Sequence, residues 1–218
     1  MLNLCIPTLN RYDRLYNCVD SALNGSLAPD MIYIVDNGKQ ITQRIRDRVG
    51  DKLFLYTPET NLGVARSWNW FLDVVKHPML ITNDDVEFGT YDLENFHKAY
   101  TLESEDLFFT NNVSHLNMFS CFMPTPNLIL RVGLFDEIFY PAYFEDNDYF
   151  YRMKMKQMTW KAIPTNILHY SSSTLEMYTP EQREAHHGQF NANHSYFRQK
   201  WGGSPGYETY TTPFGHEQ

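Results

Sequence analysis

Leu80-Ile81-Thr82-Asn83-Asp84-Asp85-Val86 is an apolar run that ends abruptly in two adjacent carboxylates. A short apolar run bounded by turn formers reads as a buried strand. Its acids then sit at the edge of a sheet, where neighbouring carboxylates repel one another unless a hard cation or hydrogen-bond donors compensate. The pair points to a divalent cation, and a solvated turn that caps the next helix is the plainer alternative. Three other segments break from an apolar or extended run into polar and turn residues in the same way. They are Ile6-Pro7-Thr8-Leu9-Asn10-Arg11, Ile34-Val35-Asp36-Asn37-Gly38 and Asn61-Leu62-Gly63-Val64-Ala65-Arg66. Opening on one edge, the four would enclose one nucleotide-sized site.

The pattern around these segments alternates strand and helix. Leu2 to Pro7 reads as a buried strand, followed by a helix from about Arg14 to Leu23 in which Leu15, Val19 and Leu23 recur every fourth residue. Met31 to Val35 and Leu53 to Tyr56 repeat the strand pattern after turn signals. Asn61 is placed to cap a helix whose apolar stripe is Val64, Trp68, Phe71 and Val75, with Arg66, Asn69 and Asp73 lying elsewhere. Pro78 ends that helix and Met79 to Thr82 forms the fourth strand. Such alternation implies a mostly parallel sheet covered on both faces, with ligands beyond the carboxyl ends of its strands. Further along, Leu107 to Thr110 and Met118 to Met123 read as strands, and Asn127 to Val132 as a short helix. Tyr149 to Lys156 reads as a basic helix after an acidic turn. Thr179-Pro180-Glu181-Gln182 combines an N-cap, a first-position proline and a capping box, opening a helix that runs to Lys200 and stops at Gly202-Gly203.

Composition narrows the class. With 218 residues and no linker-like break, the chain is expected to form one domain. A net charge of -8 argues against binding a phosphate backbone, so no nucleic-acid partner is expected. Cys5, Cys18 and Cys121 lack disulfide or zinc spacing, which fits a reducing compartment. No apolar stretch approaches the roughly twenty residues of a transmembrane helix, so a soluble, cytoplasmic protein is expected. Aromatic residues make up 16% of the chain, and for each the core is the more frequent destination than a sugar-binding face.

Beyond the first acid pair, Glu145-Asp146-Asn147-Asp148 follows the aromatic run Phe139-Tyr140-Pro141-Ala142-Tyr143-Phe144. Acids beside apolar residues are candidates for a raised pKa and general-base duty, and acids favoured by a helix dipole are the alternative. His169 ends Ile167-Leu168 and is either a structural hydrogen-bonder or a partner for manganese, which accepts mixed oxygen and nitrogen ligands. His186, His187 and His194 read as a polar helix face. Arg11 and Arg66 are phosphate partners or surface ion pairs. Asp36 is a hydrogen-bond acceptor for a nucleobase or a plain turn former.

In this order the segments resemble glycosyltransferases of the GT-A fold, specifically their large family 2. The likeness rests on Ile6 to Arg11, Val35 to Gly38, Asn61 to Arg66, Asn83-Asp84-Asp85, Gly133-Leu134-Phe135-Asp136-Glu137 with Phe144-Glu145-Asp146, and His169. The tail Tyr196-Phe197-Arg198-Gln199-Lys200-Trp201-Gly202 is similar to rhamnosyltransferase-like members. The resemblance implies an α/β, Rossmann-like, mostly parallel sheet, with a nucleotide-binding half over about 1–105 and an acceptor-binding half over about 106–218. It implies sugar transfer from a nucleotide-diphosphate sugar, with a UDP-sugar as the expected donor, to a hydroxyl of a glycan or glycoprotein with inversion. Pro7, Thr8, Asn10, Arg11 and Asp36 would surround the base and ribose, with Asn61, Arg66, Asn83 and Asp84 completing the nucleotide-sugar site. Asp85 and His169 would hold Mn²⁺ or Mg²⁺, and Asp146, with Glu145 beside it, would be the catalytic base. One departure is that Asn83 stands where the family's Asp-x-Asp motif has its first acid. The small size is similar to that of enzymes carried by large algal viruses, which would place the chain in a host cytoplasm, and of enzymes used in bacterial surface polysaccharides. A nucleotidyltransferase is disfavoured because Pro7 to Arg14 contains no glycine. A non-catalytic sugar- or nucleotide-binding module is the remaining alternative.

Overall fold

Successive residues of a strand face opposite ways, and the first strand, β1 (Asn3–Thr8), is apolar on both faces. Leu4 and Ile6 enter one core with Ile32, Ile34 and Leu80, while Cys5 enters a second core with Val35, Ile81 and Phe122. A strand buried on both sides requires a helical layer over each face. In the computed structural model, which describes residues 1–103, 107–111, 118–170 and 173–216, the chain supplies both layers.

After β1 come α1 (Tyr12–Leu23), β2 (Met31–Asp36), α2 (Gln43–Val49), β3 (Leu53–Tyr56), α3 (Gly63–Val74), β4 (Met79–Thr82), β5 (Val86–Glu87) and α4 (Asp92–Leu102). The second half adds β6 (Leu107–Thr110), β7 (Cys121–Pro124), α5 (Pro126–Val132), α6 (Glu145–Met155), β8 (Thr159–Ala162), β9 (Leu168–His169), α7 (Ser173–Glu176) and α8 (Pro180–Trp201). Leu15, Ile45 and Phe96 bring α1, α2 and α4 onto the first core; Phe71, Leu128 and Met153 bring α3, α5 and α6 onto the second. A third cluster, Phe139, Phe144, Tyr151, Phe197 and Trp201, seats α8 against α6. Most phenylalanines lie in these clusters, as the core reading of the aromatics anticipates.

The seven-stranded sheet runs β3-β2-β1-β4-β7-β6-β8. β1 pairs in parallel with β2 and β4, and β7 is antiparallel to both its neighbours, so the sheet is mostly parallel as expected. The chain winds from β1 outward through β2 and β3, then returns to place β4 on the other side of β1. The carboxyl ends of β1 and β4 therefore lie side by side where the strand order reverses, the place at which open α/β sheets take ligands. A separate ribbon pairs β5 with β9, matching Val86 to His169 and Glu87 to Leu168.

Several elements depart from expectation. The acids 145–148 are not a turn before a helix but the first turn of α6, because acidic side chains complement the helix dipole there and Asp148 pairs with Arg152 at 2.9 Å. Asn61 sits one residue before the cap of α3, and its Oδ1 accepts the Gly63 N–H at 2.8 Å. Asn69 is buried and bonds both Phe135 N–H and Phe135 C=O, at 2.8 and 2.9 Å. β7 begins at Cys121 rather than Met118, where it first meets β4. The capping box of α8 is present, and Gly202 ends the helix with φ of 73°.

Candidate active site

β1 and β4 are neighbours in register, so the residues that follow them meet. Thr8, the last residue of β1, donates its hydroxyl to Asp84 Oδ2 at 2.7 Å. Asp84 is buried, and that burial raises its pKa to about 7, with repulsion from Asp85 adding and the Thr8 hydrogen bond opposing. Asp85 takes a different partner: its Oδ1 lies 3.3 Å from His169 Nε2. The ribbon explains how residues so distant in sequence come together. β5 starts directly after Asp85 and pairs with β9, and Tyr170 N–H donates to the Asp85 carbonyl at 3.0 Å. Asn83 Nδ2 lies 3.4 Å from the same imidazole nitrogen.

Glu145 and Asp146 reach this region from α6. The loop before them turns through Tyr143 and Phe144, both left-handed with φ of 75° and 74°. Glu145 is 5% exposed, and its Oε2 is buried without a hydrogen-bond partner. Burial first, then the charge of Asp146, push its carboxyl well above the usual range. Asp146 accepts the N–H of Asn147 at 2.8 Å and stands at the positive end of the helix.

These two regions share one cavity of about 360 Å³. Pro7, Thr8, Asn83, Asp84 and Asp85 supply the strand-end part of its wall, and Glu145, Asp146, His169 and Asn61 complete the expected set. Asn10 lines a neighbouring cavity of about 420 Å³. Arg11, Asp36 and Arg66 line neither of the two. Arg11 is buried in ion pairs with Asp13 and Glu176, at 3.0 and 2.7 Å. Asp36 receives the Tyr12 hydroxyl at 2.6 Å and the Ile41 N–H at 2.9 Å, which engages both its oxygens. Arg66 pairs with Glu137 at 2.8 Å in an exposed bridge.

The sequence reading passes over several side chains of the wall, among them Asn37, Trp68, Tyr143, Tyr178 and His186. His186 packs edge-on to Tyr143 and Tyr178 at 5.2 and 5.6 Å, and burial lowers its pKa. Its helix alone reads as polar, because α8 has no strong apolar stripe.

Among the described residues no group of three or more His, Cys, Asp and Glu side chains converges. Asp85 and His169, with Asn83 beside them, could together hold a cation. A donor set this small suits Mg²⁺ or Mn²⁺, which keep water and take substrate phosphate oxygens in place of an all-protein cage. Among the described residues, no helix is long and apolar enough to cross a membrane.

No curated protein matches the chain. Among solved structures it is similar to the mannosyltransferase PcManGT from Pyrobaculum calidifontis in complex with GDP-Man and Mn²⁺, at 13% identity and a TM-score of 0.60, over 75% of this chain and 54% of that one. It is also similar to residues 1–349 of TarS from S. aureus, at 15% identity and a TM-score of 0.60, over 90% of this chain and 72% of that one. The complex of that TarS fragment with UDP-GlcNAc matches at 15% identity and a TM-score of 0.58, over 74% and 57%. The chain thus spans about half of the mannosyltransferase (54%), and at these identities the likeness carries the GT-A fold. The sequence profile of Glycosyl transferase family 2 covers residues 4–170, from the first strand through the histidine beside Asp85, and the chain belongs to that family.

Proposed function

We propose that the chain transfers a sugar from a nucleotide-diphosphate sugar, with a UDP-sugar as first candidate, to a hydroxyl of a glycan or glycoprotein, with inversion. The observation that carries this reading is one cavity holding two acid pairs, Asp84-Asp85 at the strand ends and Glu145-Asp146 at a helix start. Residues up to about 105 bind the donor and the remainder serves the acceptor.

Asp85 and His169 would hold Mn²⁺ or Mg²⁺, which when bound neutralises charge on a departing diphosphate. The other steps belong to side chains. Asp146 takes the proton of the acceptor hydroxyl as that oxygen bonds the anomeric carbon, and the bond to the diphosphate oxygen breaks with its electron pair leaving on the diphosphate. Glu145, whose carboxyl burial pushes toward the protonated form, offers a hydrogen bond to a sugar hydroxyl, which a carboxylate cannot donate. Thr8 donates to Asp84 while His169 faces Asp85, so the strand-end pair is divided between two partners.

Calorimetric titration with UDP, GDP, dTDP and their sugars, with and without Mn²⁺, tests the reading on wild type and on Asp85→Ala. Metal-dependent binding that the substitution abolishes is the expected result. Binding without transfer to any acceptor and without donor hydrolysis favours a binding module instead, and binding of no nucleotide overturns the donor site.

A further inference from the structure

Glu145 and Asp146 are presented by a loop that does not hold itself together. Tyr143 and Phe144 adopt left-handed backbone conformations in succession, which side chains with a Cβ take reluctantly. Three of the loop's carbonyls converge on one amide from a different helix. Asn193 of α8 is 2% exposed and its Nδ2 donates toward Ala142 O at 3.0 Å, Tyr143 O at 3.2 Å and Tyr140 O at 3.3 Å. Gln189 Nε2 donates to Asn193 Oδ1 at 3.1 Å, which fixes the orientation of that amide.

The same loop is gripped from the nucleotide side. Val64 N–H, at the start of α3, donates to Pro141 O at 2.8 Å. Gly63 makes this approach possible, because a Cβ there would stand 2.7 Å from Pro141 O and 2.9 Å from the Tyr140 ring. Phe144 adds a third hold, its ring stacked on His194 of α8 at 5.1 Å. The loop is thus clasped between α3 and α8, and the residues it delivers are the two acids of the cavity wall.

We propose that Asn193 is a positioning residue for sugar transfer: by clasping the 140–144 loop it sets where Glu145 and Asp146 stand, while nucleotide binding is independent of it. The inference rests on the transferase reading above. Misplacing a catalytic group by about 1 Å costs on the order of 100-fold in rate, which sets the expected size.

The test compares Asn193→Ala and Asn193→Gln with Trp201→Phe. The last removes the Trp201 Nε1 hydrogen bond to Asp148 at 2.8 Å, so it loosens α8 from α6 while leaving the hydrogen bonds of Asn193 to the loop in place. Each variant is measured for Tm, for calorimetric Kd of UDP and GDP with Mn²⁺, and for kcat and KM of hydrolysis of UDP-glucose, UDP-GlcNAc and GDP-mannose. For both Asn193 variants the expected result is a Kd within about threefold of wild type and a kcat lowered about 10- to 100-fold. Asn193→Gln keeps the amide but displaces it, so it reports even if the alanine variant fails to fold. Trp201→Phe is expected to lower Tm and leave kcat within about threefold. An Asn193 variant that folds with wild-type kcat overturns the proposal, as does a loss of kcat in Trp201→Phe that matches its loss of Tm. If wild type binds and turns over no nucleotide, the transferase reading fails by itself. Hydrogen exchange at amides 143–148 then decides the clasp: faster exchange in Asn193→Ala but not in Trp201→Phe supports it, and unchanged exchange sinks it.

Discussion

The two acid pairs of the cavity solve the same electrostatic problem in different ways. Asp84 and Asp85 divide their charge: one oxygen receives the Thr8 hydroxyl at 2.7 Å, and the other carboxylate faces His169 at 3.3 Å. Glu145 and Asp146 do not share partners. Glu145 is buried with an oxygen that receives nothing, and burial pushes its carboxyl well above the usual range. Asp146 stands in the first turn of a helix, where the dipole favours a negative charge. Adjacent carboxylates are therefore tolerated at the strand ends by separate partners and at the helix start by burial of one member, and only the strand-end pair has an imidazole beside it.

That contrast can be broken at each pair. The largest effect is expected for Asp146→Asn, which should lower kcat about 1,000-fold with donor Kd unchanged. A wild-type transfer rate in that variant would remove Asp146 from the role of base. Next comes Asp85→Ala, for which the Mn²⁺-dependent part of nucleotide affinity should fall about 10- to 100-fold; titration with and without the metal measures it. Thr8→Val is smaller. It leaves the Asp84 carboxylate buried without its donor and should cost about 1–3 kcal/mol in urea unfolding at pH 8.

The smallest effect on rate is expected for Glu145→Gln, because glutamine imitates a neutral carboxyl: kcat should stay within about threefold at pH 7. A fall as deep as that of Asp146→Asn would mean that the charge of Glu145 is used. The same substitution has a thermodynamic signature. The folded-state pKa of Glu145 is raised above its ordinary value of 4.5, so its contribution to stability is fully present below pH 4.5 and is lost as pH rises through the folded value. Glu145→Gln should remove that loss, so thermal scans should find its Tm above that of wild type at pH 8 and close to it at pH 4.

Much of this contrast is invisible in the chain's one-dimensional pattern. The strand-end pair is legible because an apolar run stops at Asn83-Asp84-Asp85, and an apolar run has a physical length. The capping box of α8 is legible for the same local reason: Thr179 and Gln182 satisfy each other's backbone within four residues. β5 and β9 are not legible, since two-residue strands carry no periodicity, yet their pairing delivers His169 to Asp85. α2 and β8 bury little and leave weak patterns. Arg11, Arg66 and Asp36 carry the right chemistry for a nucleotide, but their ion pairs and hydrogen bonds are with Glu176, Glu137 and Tyr12, partners 165, 71 and 24 residues away. The lone Asn193 has no local signature at all.

By itself the sequence determined the layering and the order of the segments, because burial on both faces of β1, turn chemistry and helix caps act over a few residues. It also determined that two acid pairs flank apolar runs. The tertiary structure alone decided that the pairs share a cavity, that His169 reaches Asp85, and that Glu145 is buried with its carboxyl pushed up. Those outcomes depend on desolvation and on partners supplied by other elements, and neither quantity exists until the chain has closed on itself.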